Sequence, residues 1–156
     1  MNKKILNATN SAIGNISFKS KLEASVYKTL VEHGFSPQYE SQRFVLWKGS
    51  KINDIYYTKG SDGHLKADNS KIRDITYTPD FIFKVDNYVI IIEVKGYEND
   101  VFPIKKKLFI DLLGTMNNIN SVSGEPLYKY FEIFSKRQLL EAIDEINKLK
   151  NDRKDW

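Results

Sequence analysis

The chain has 156 residues, with 24 lysines and arginines against 20 aspartates and glutamates, two histidines and no cysteine. The length fits one domain, and the 41% hydrophobic and 13% aromatic content is that of a globular protein. The lack of cysteine excludes a disulfide framework, a thiolate zinc site, an iron–sulfur cluster and a cysteine nucleophile. A bound metal would therefore take oxygen ligands, which suit Mg²⁺, Mn²⁺ or Ca²⁺.

The net charge of +4 is compatible with a nucleic-acid partner and equally with a protein that binds none. No long apolar segment follows the N-terminal lysines, so a signal peptide is not expected. The longest apolar run, residues 88–92, is too short to span a bilayer. The sequence therefore predicts a cytoplasmic protein with no membrane partner.

The first predicted element is a helix that follows a polar N-terminal arm at residues 1–16. Ser20 and Glu23 stand at the spacing of a capping box, and apolar residues then recur at helical intervals. Gly34 ends the helix as a left-handed C-terminal cap. We expect residues 17–156 to form a single domain.

The remaining patterns predict the order α-β-(hairpin)-β-β-α-β-α. The predicted elements after the first helix are a strand over 39–47, a hairpin within 48–72 turning at Asp62–Gly63, strands over 75–85 and 88–95, a helix over 103–117, a strand over 127–134 and a helix that begins after Ser135. The unbroken apolar stretch at 88–92 favours a central strand covered on both faces. The sequence thus predicts an α/β fold with a mixed central sheet flanked by helices.

Three charged residues of the paired strands form a candidate catalytic site. Side chains two apart on a strand share a face, so Glu93 and Lys95 project together, about 7 Å apart along the strand. Asp80, on the preceding strand, can reach the same place. Charged groups at the end of an apolar strand are costly to bury unless they pair or bind a cation. Alone, Glu93-Val94-Lys95 would more often be a surface ion pair than a site.

Two carboxylates beside an ammonium can hold a divalent ion and hydrolyse a phosphodiester bond. Asp80, Glu93 and the backbone carbonyl of Val94 would bind the metal, Mg²⁺ or Mn²⁺. Lys95 would position the attacking water or stabilise the negative charge of the transition state. A glycosidase that uses Asp80 and Glu93 as acid and base is a remote alternative.

The same residues carry a resemblance to a known family. Pro79-Asp80 followed by Glu93-Val94-Lys95 resembles the PD-(D/E)XK nuclease superfamily, and the trailing segment 104–109 is similar to that of small phage-encoded endonucleases of the endonuclease I type, which resolve Holliday junctions. The resemblance covers about residues 18–113. It implies a restriction-endonuclease-like core and a metal-dependent endodeoxyribonuclease acting on branched or structured DNA. It also implies catalytic Asp80, Glu93 and Lys95, action in the host cytoplasm, and a homodimer if two strands are cut in step.

Glu23 has two interpretations, and both stay open. The resemblance implies that it is a first-helix carboxylate that completes the metal site, and hence a catalytic residue. Its position in the Ser20 capping box indicates instead a hydrogen bond to the start of the helix.

The basic run Lys105-Lys106-Lys107 is the candidate nucleic-acid-binding segment. At about 100° per residue, Lys105 falls in an apolar helical stripe, whereas Lys106 and Lys107 fall outside it. The stripe consists of Ile104, Leu108, Leu112 and Met116. We expect Lys105 to contact a DNA phosphate and the other two to lie on a basic face. The rival function is a non-catalytic nucleic-acid-binding module that retains the nuclease fold.

Overall fold

The computed structural model describes residues 11–96 and 101–151. The helices are α1 (Lys21–Glu32), α2 (Phe102–Ser123) and α3 (Lys136–Asn151). The strands are β1 (Ser11–Ile13), β2 (Ile16–Phe18), β3 (Gln38–Tyr39), β4 (Phe44–Trp47), β5 (Tyr56–Lys59), β6 (Leu65–Asp68), β7 (Ile75–Tyr77), β8 (Phe81–Val85), β9 (Tyr88–Val94) and β10 (Leu127–Ile133). None of the helices described is long and apolar enough to cross a membrane.

A mixed four-stranded sheet in the order β10-β9-β8-β3 forms the centre of the fold. The strands β8 and β9 pair antiparallel across the tight turn at Asp86–Asn87, where Asp86 has a φ of 48°. The strand β10 pairs parallel with β9, so the chain returns through α2, as a parallel connection requires. The prediction of an α/β fold with a mixed sheet flanked by helices is confirmed at this level.

Two hydrophobic clusters cover the faces of β9, as its unbroken apolar stretch predicts. On one face, Ile90 and Ile92 pack in the cluster that includes residues of α1 and α3. On the other, Ile91 packs in the cluster of Phe109 and Leu113 of α2. Glu93 follows Ile91 by two residues of the same strand, so its side chain lies on the face that is covered by α2.

Residues 11–16 lie in two strands and the turn between them, and not in the polar N-terminal segment that the sequence predicted for residues 1–16. These residues belong to a hairpin of β1 and β2, in which Ile13 pairs with Ile16 across a turn where Gly14 has a φ of 58°. Both isoleucines pack against the main cluster, and Phe18 is fully buried. Burial of these few apolar residues holds the hairpin to the domain. Residues 1–10 of the predicted N-terminal segment and residues 152–156 of the predicted domain lie outside the described residues.

Both long predicted strands are interrupted. The run 39–47 divides into β3 and β4 around Glu40, whose φ is 44°. The run 75–85 divides into β7 and β8 around Pro79, which has no N–H to donate to a ladder. The strand β7 then pairs with β4 instead of with the central sheet. The predicted hairpin within 48–72 is present as β5 and β6, which pair on either side of residues 60–64.

The helix α2 presents a different face to the core from the one predicted. Its buried residues are Phe102, Phe109 and Leu113, whereas Ile104 is 62% exposed. The prediction that Ile104 lies on the core stripe was wrong. Phe109 is the reason, because its ring packs 4.5 Å from that of Tyr77 and is fully buried. An aromatic ring buries more apolar area than an isoleucine, so it determines the facing.

Candidate active site

The structure brings Asp80, Glu93 and Lys95 together at one end of β8 and β9. Asp80 immediately precedes β8, and its Oδ2 accepts a hydrogen bond from the backbone N–H of Val94, at 2.7 Å. Glu93 Oε1 lies 2.5 Å from Lys95 Nζ. The antiparallel register of the two strands produces this arrangement, since Phe81 pairs with Ile92.

The backbone around Asp80 is fixed from the neighbouring strand as well. The carbonyl of Asp80 accepts a hydrogen bond from the N–H of Glu40, at 2.9 Å. The interruption at Pro79 therefore leaves the Asp80 carboxylate at the end of the sheet, with its main chain bonded on the β3 side. A residue positioned through both backbone and side chain is preorganised for binding.

Glu93 and Lys95 form a buried ion pair. The side chain of Glu93 is 6% exposed and that of Lys95 is 16% exposed. The second oxygen of Glu93, Oε2, accepts a short hydrogen bond from the hydroxyl of Tyr77. The ammonium of Lys95 also lies 3.6 Å from the ring centroid of Phe102, in a cation–π contact. These contacts restrict the ammonium to one position beside the carboxylates.

The surroundings of the Asp80 carboxyl disfavour its ionised form. Burial, and after it the charge of Glu93, raises the pKa of Asp80 to about 8. The charge of Glu23 adds to this effect, whereas the Val94 N–H and Lys95 oppose it. One lysine therefore does not neutralise the acidic groups at this end of the sheet.

Glu23 is buried and makes the contacts of a helix cap. Its N–H bonds to Ser20 Oγ at 3.1 Å, and Ser20 Oγ donates to Glu23 Oε1 at 2.9 Å. Its other oxygen, Oε2, accepts from the Tyr39 hydroxyl at 2.5 Å and from the N–H of Lys19 at 3.1 Å. Ser20 is the N-cap as predicted, but the backbone N–H that Glu23 accepts from is that of Lys19 and not that of Ser20. Glu23 is also close enough to influence Asp80, and its role at a metal site stays a prediction. In the described part of the chain, no three acidic or histidine side chains form a group arranged to hold a metal ion.

A polar network behind Glu93 was not predicted from the sequence. Glu132 of β10 lies directly opposite Glu93 in the parallel register. Tyr130 donates to Glu132 Oε1 at 3.2 Å, and its hydroxyl also interacts with that of Tyr77, which donates to Glu93. Lys106 closes the network at 2.7 Å from Glu132 Oε1. Burial raises the pKa of both tyrosines well above the usual range, so both remain hydroxyl donors.

The three candidate lysines of α2 occupy different environments. Lys106 lies on the half-buried side of the helix, paired with Glu132, so its predicted place outside the buried stripe was wrong. The correction follows from the facing of Phe102 and Phe109, which flank it by three or four residues. Lys105 is half-buried and Lys107 is exposed, and their DNA contacts stay predictions.

Lys19 is a second cation at the site that the sequence did not single out. Its ammonium pairs with Glu40, and this contact raises the pKa of Lys19. Asp80 and Glu23 contribute to the same effect, which places Lys19 near the acidic residues, while its side chain is 68% exposed. The position between β2 and α1 gives no periodic signal by which such a lysine could be found.

Comparison with known proteins gives a family without an assigned activity. No curated protein and no solved structure matches the chain. One family model, described as "Protein of unknown function (DUF1064)", matches residues 3–129, which include the whole of the site formed by Asp80, Glu93 and Lys95. The chain therefore belongs to the DUF1064 family.

Proposed function

We propose that the chain is a metal-dependent endodeoxyribonuclease that hydrolyses the phosphodiester bonds of DNA. The observation that carries this proposal is the convergence of Asp80, Glu93 and Lys95 at the end of two central strands. Buried like charges at a sheet end are destabilising unless they have a functional partner. A site of two carboxylates and one lysine matches the requirements of phosphodiester hydrolysis.

The donor set fits a hard divalent cation. Asp80 and Glu93 would hold Mg²⁺ or Mn²⁺ through carboxylate oxygens, with the backbone carbonyl of Val94 as a further ligand. Burial and the charge of Glu93 raise the pKa of Asp80, and a positive charge there would favour its ionised form against both. When bound, such an ion polarises the phosphoryl oxygen and lowers the pKa of a coordinated water. Glu93 would exchange one of its partners, Lys95 or Tyr77, for the ion. Glu23 is the less favourable ligand, since its oxygens accept three hydrogen bonds that hold the start of α1.

Lys95 is the residue that we assign to transition-state stabilisation. Its ammonium is held between Glu93 and the ring of Phe102, so little side-chain entropy remains to be lost when a phosphate binds. From this position it donates a hydrogen bond to the attacking water or to a phosphoryl oxygen, where negative charge develops. Tyr77 holds Glu93 from the opposite side and keeps that carboxylate oriented.

The finer details of the proposal come from the resemblance to PD-(D/E)XK nucleases. They are a restriction-endonuclease-like topology, branched or structured DNA as the substrate, and action in the cytoplasm of a phage host. Cutting of two strands in step would require a homodimer.

The test is cleavage of plasmid and four-way-junction DNA in Mg²⁺, in Mn²⁺ and in EDTA. We expect cleavage with either metal and none in EDTA. Lys95→Ala should lose activity, whereas Lys148→Ala, at an exposed lysine on α3 outside the candidate DNA-binding segment, serves as the control. Cleavage that persists in EDTA, or in Lys95→Ala, would overturn the mechanism.

A non-catalytic nucleic-acid-binding module is the second candidate function. The observation in its favour is that both oxygens of Glu93 have partners within the protein, Lys95 and Tyr77, as in a purely structural ion pair. Binding of DNA without cleavage of any DNA form, in either metal, would support this function instead of the nuclease.

A further inference from the structure

An antiparallel ribbon, which we call the arm (residues 48–74), leads outward from the proposed active site. Its base is the pairing of Phe44 with Tyr77, the residue that bonds Glu93. Beyond β4 and β7, Ile72 donates a backbone hydrogen bond to Ser50 at 2.9 Å. The two segments of the ribbon lie so close together there that a Cβ on Gly49 would be 2.0 Å from the carbonyl oxygen of Ile72. The arm therefore has a defined stem attached to the site.

The outer hairpin of the arm exposes an apolar face. Because Tyr57 pairs with Ala67 and Lys59 pairs with Leu65, these four side chains share one face of the β5–β6 hairpin. Tyr57 is 67% exposed and Leu65 is 77% exposed. Among the described residues, β5 and β6 pair with each other and with no further strand. A bare aromatic and aliphatic face on a two-stranded hairpin is typical of a binding surface.

The charge of the arm favours a polyanionic partner. Residues 48–74 hold six lysines and arginines against four aspartates, a net charge of +2. Asp54, Asp62 and Asp68 accept hydrogen bonds from the local N–H groups of Ile55, His64 and Ser70. The basic residues of the arm beyond Lys48 form no ion pair within residues 11–96 and 101–151. They are Lys51, Lys59, Lys66, Lys71 and Arg73. The arm thus has an excess of basic residues, one of which, Lys59, shares the face of the exposed Tyr57.

We propose that the arm binds single-stranded nucleic acid, with Tyr57 stacking on an unpaired base and Lys59 contacting the adjacent phosphate. A tyrosine ring beside an ammonium is the arrangement by which proteins bind single strands, because every base has a face on which an aromatic ring stacks. A fully paired duplex buries those base faces in its own stack. The inference rests on the proposed function in one respect, since it specifies an unpaired segment of the nucleic-acid substrate.

The experiment measures fluorescence anisotropy of a labelled single-stranded oligonucleotide and of the corresponding blunt duplex, both in EDTA. Tyr57→Ala should weaken single-strand binding roughly 5- to 100-fold, and Tyr57→Phe should retain it, since a phenyl ring also stacks. Lys59→Ala should reduce the salt slope of binding by about 1. Val122→Ala is the matched control, because Val122 is 90% exposed but lies on α2, away from the arm. Thermal unfolding checks that each variant folds.

Each outcome decides the proposal separately from the nuclease. The proposal would be overturned if Tyr57→Ala bound the single strand as tightly as the wild type does. It would also be overturned if Tyr57→Ala weakened duplex binding as much as single-strand binding, or if the wild type did not bind the single strand. Tyr57-dependent binding without metal-dependent cleavage would support the arm while removing the nuclease. Cleavage with no effect of Tyr57→Ala on binding would leave the nuclease and remove the role of the arm.

Discussion

Asp80→Asn should stabilise the metal-free protein while abolishing cleavage. The substitution keeps the size of the side chain and an oxygen that accepts from the Val94 N–H, but the amide cannot ionise, so it avoids the cost of placing a titratable carboxyl beside Glu93. It also replaces an anionic metal ligand by a neutral one, so activity with Mg²⁺ or Mn²⁺ should disappear. Stability and activity therefore change in opposite directions, which a simple structural residue would not produce.

The magnitude follows from the raised pKa of Asp80. Between pH 3.8 and about 8, the folded protein holds a proton on this carboxyl that the unfolded chain has released. The folded state binds more protons over this range, so the free energy of unfolding of the wild type falls as pH rises. About four pH units at about 1.4 kcal/mol each give a ceiling of about 6 kcal/mol. Structural relaxation lowers this ceiling, and we expect Asp80→Asn to gain about 2–3 kcal/mol at the upper end of the range.

The assay is urea unfolding of metal-free protein across this pH range, with Asp111→Asn, an exposed position on α2, as the control. The advantage of Asp80→Asn should grow with pH, and added Mg²⁺ should stabilise the wild type but not Asp80→Asn. The reasoning would be refuted by a variant that is less stable than the wild type at pH 8, or whose stability falls with pH as steeply.

Three further predictions concern the groups around the site. Tyr77→Phe removes the hydrogen bond to Glu93 and should cost about 1 kcal/mol of stability and about tenfold in cleavage rate, measured by unfolding and initial rates. Glu23→Gln should destabilise α1 without changing the apparent Mg²⁺ affinity in a metal titration, and a large loss of affinity would restore its role as a ligand. Lys105→Ala should weaken DNA binding across a salt series, whereas Lys106→Ala should chiefly lower the melting temperature, and the reverse pattern would contradict the facing of α2.

The elements nearest the site were predictable because their signals are local. The turn at Asp86–Asn87 fixes the antiparallel pairing of β8 and β9, and this pairing alone brings Asp80 to the end of the strand that carries Glu93. The caps at Ser20 and Gly34 also follow from short-range backbone requirements. Such features depend on neighbouring residues of the chain, so one sequence is enough to find them.

The polar network was not predictable, because it depends on registers between distant segments. Tyr130 and Glu132 reach Tyr77 and Glu93 through the parallel pairing of β9 and β10, which are separated by the whole of α2. The sequence shows a glutamate in each of the two strands, but only the register of the strands reveals that Glu93 and Glu132 lie side by side. The left-handed backbone at Glu40 is equally a product of its tertiary contacts.

The face that α2 buries determines which lysine pairs with each of the two adjacent glutamates. Because Glu132 lies directly opposite Glu93, two like charges adjoin on the same face of the sheet, an arrangement that is destabilising unless each carboxylate has its own cation. Packing of Phe109 turns Lys106 toward Glu132, and Lys95 then remains for Glu93. Had α2 buried Ile104 instead, Lys106 would face solvent and Lys95 would have to serve both glutamates. The aromatic packing of α2 thus keeps Lys95 beside Asp80 and Glu93, where the proposed chemistry requires it.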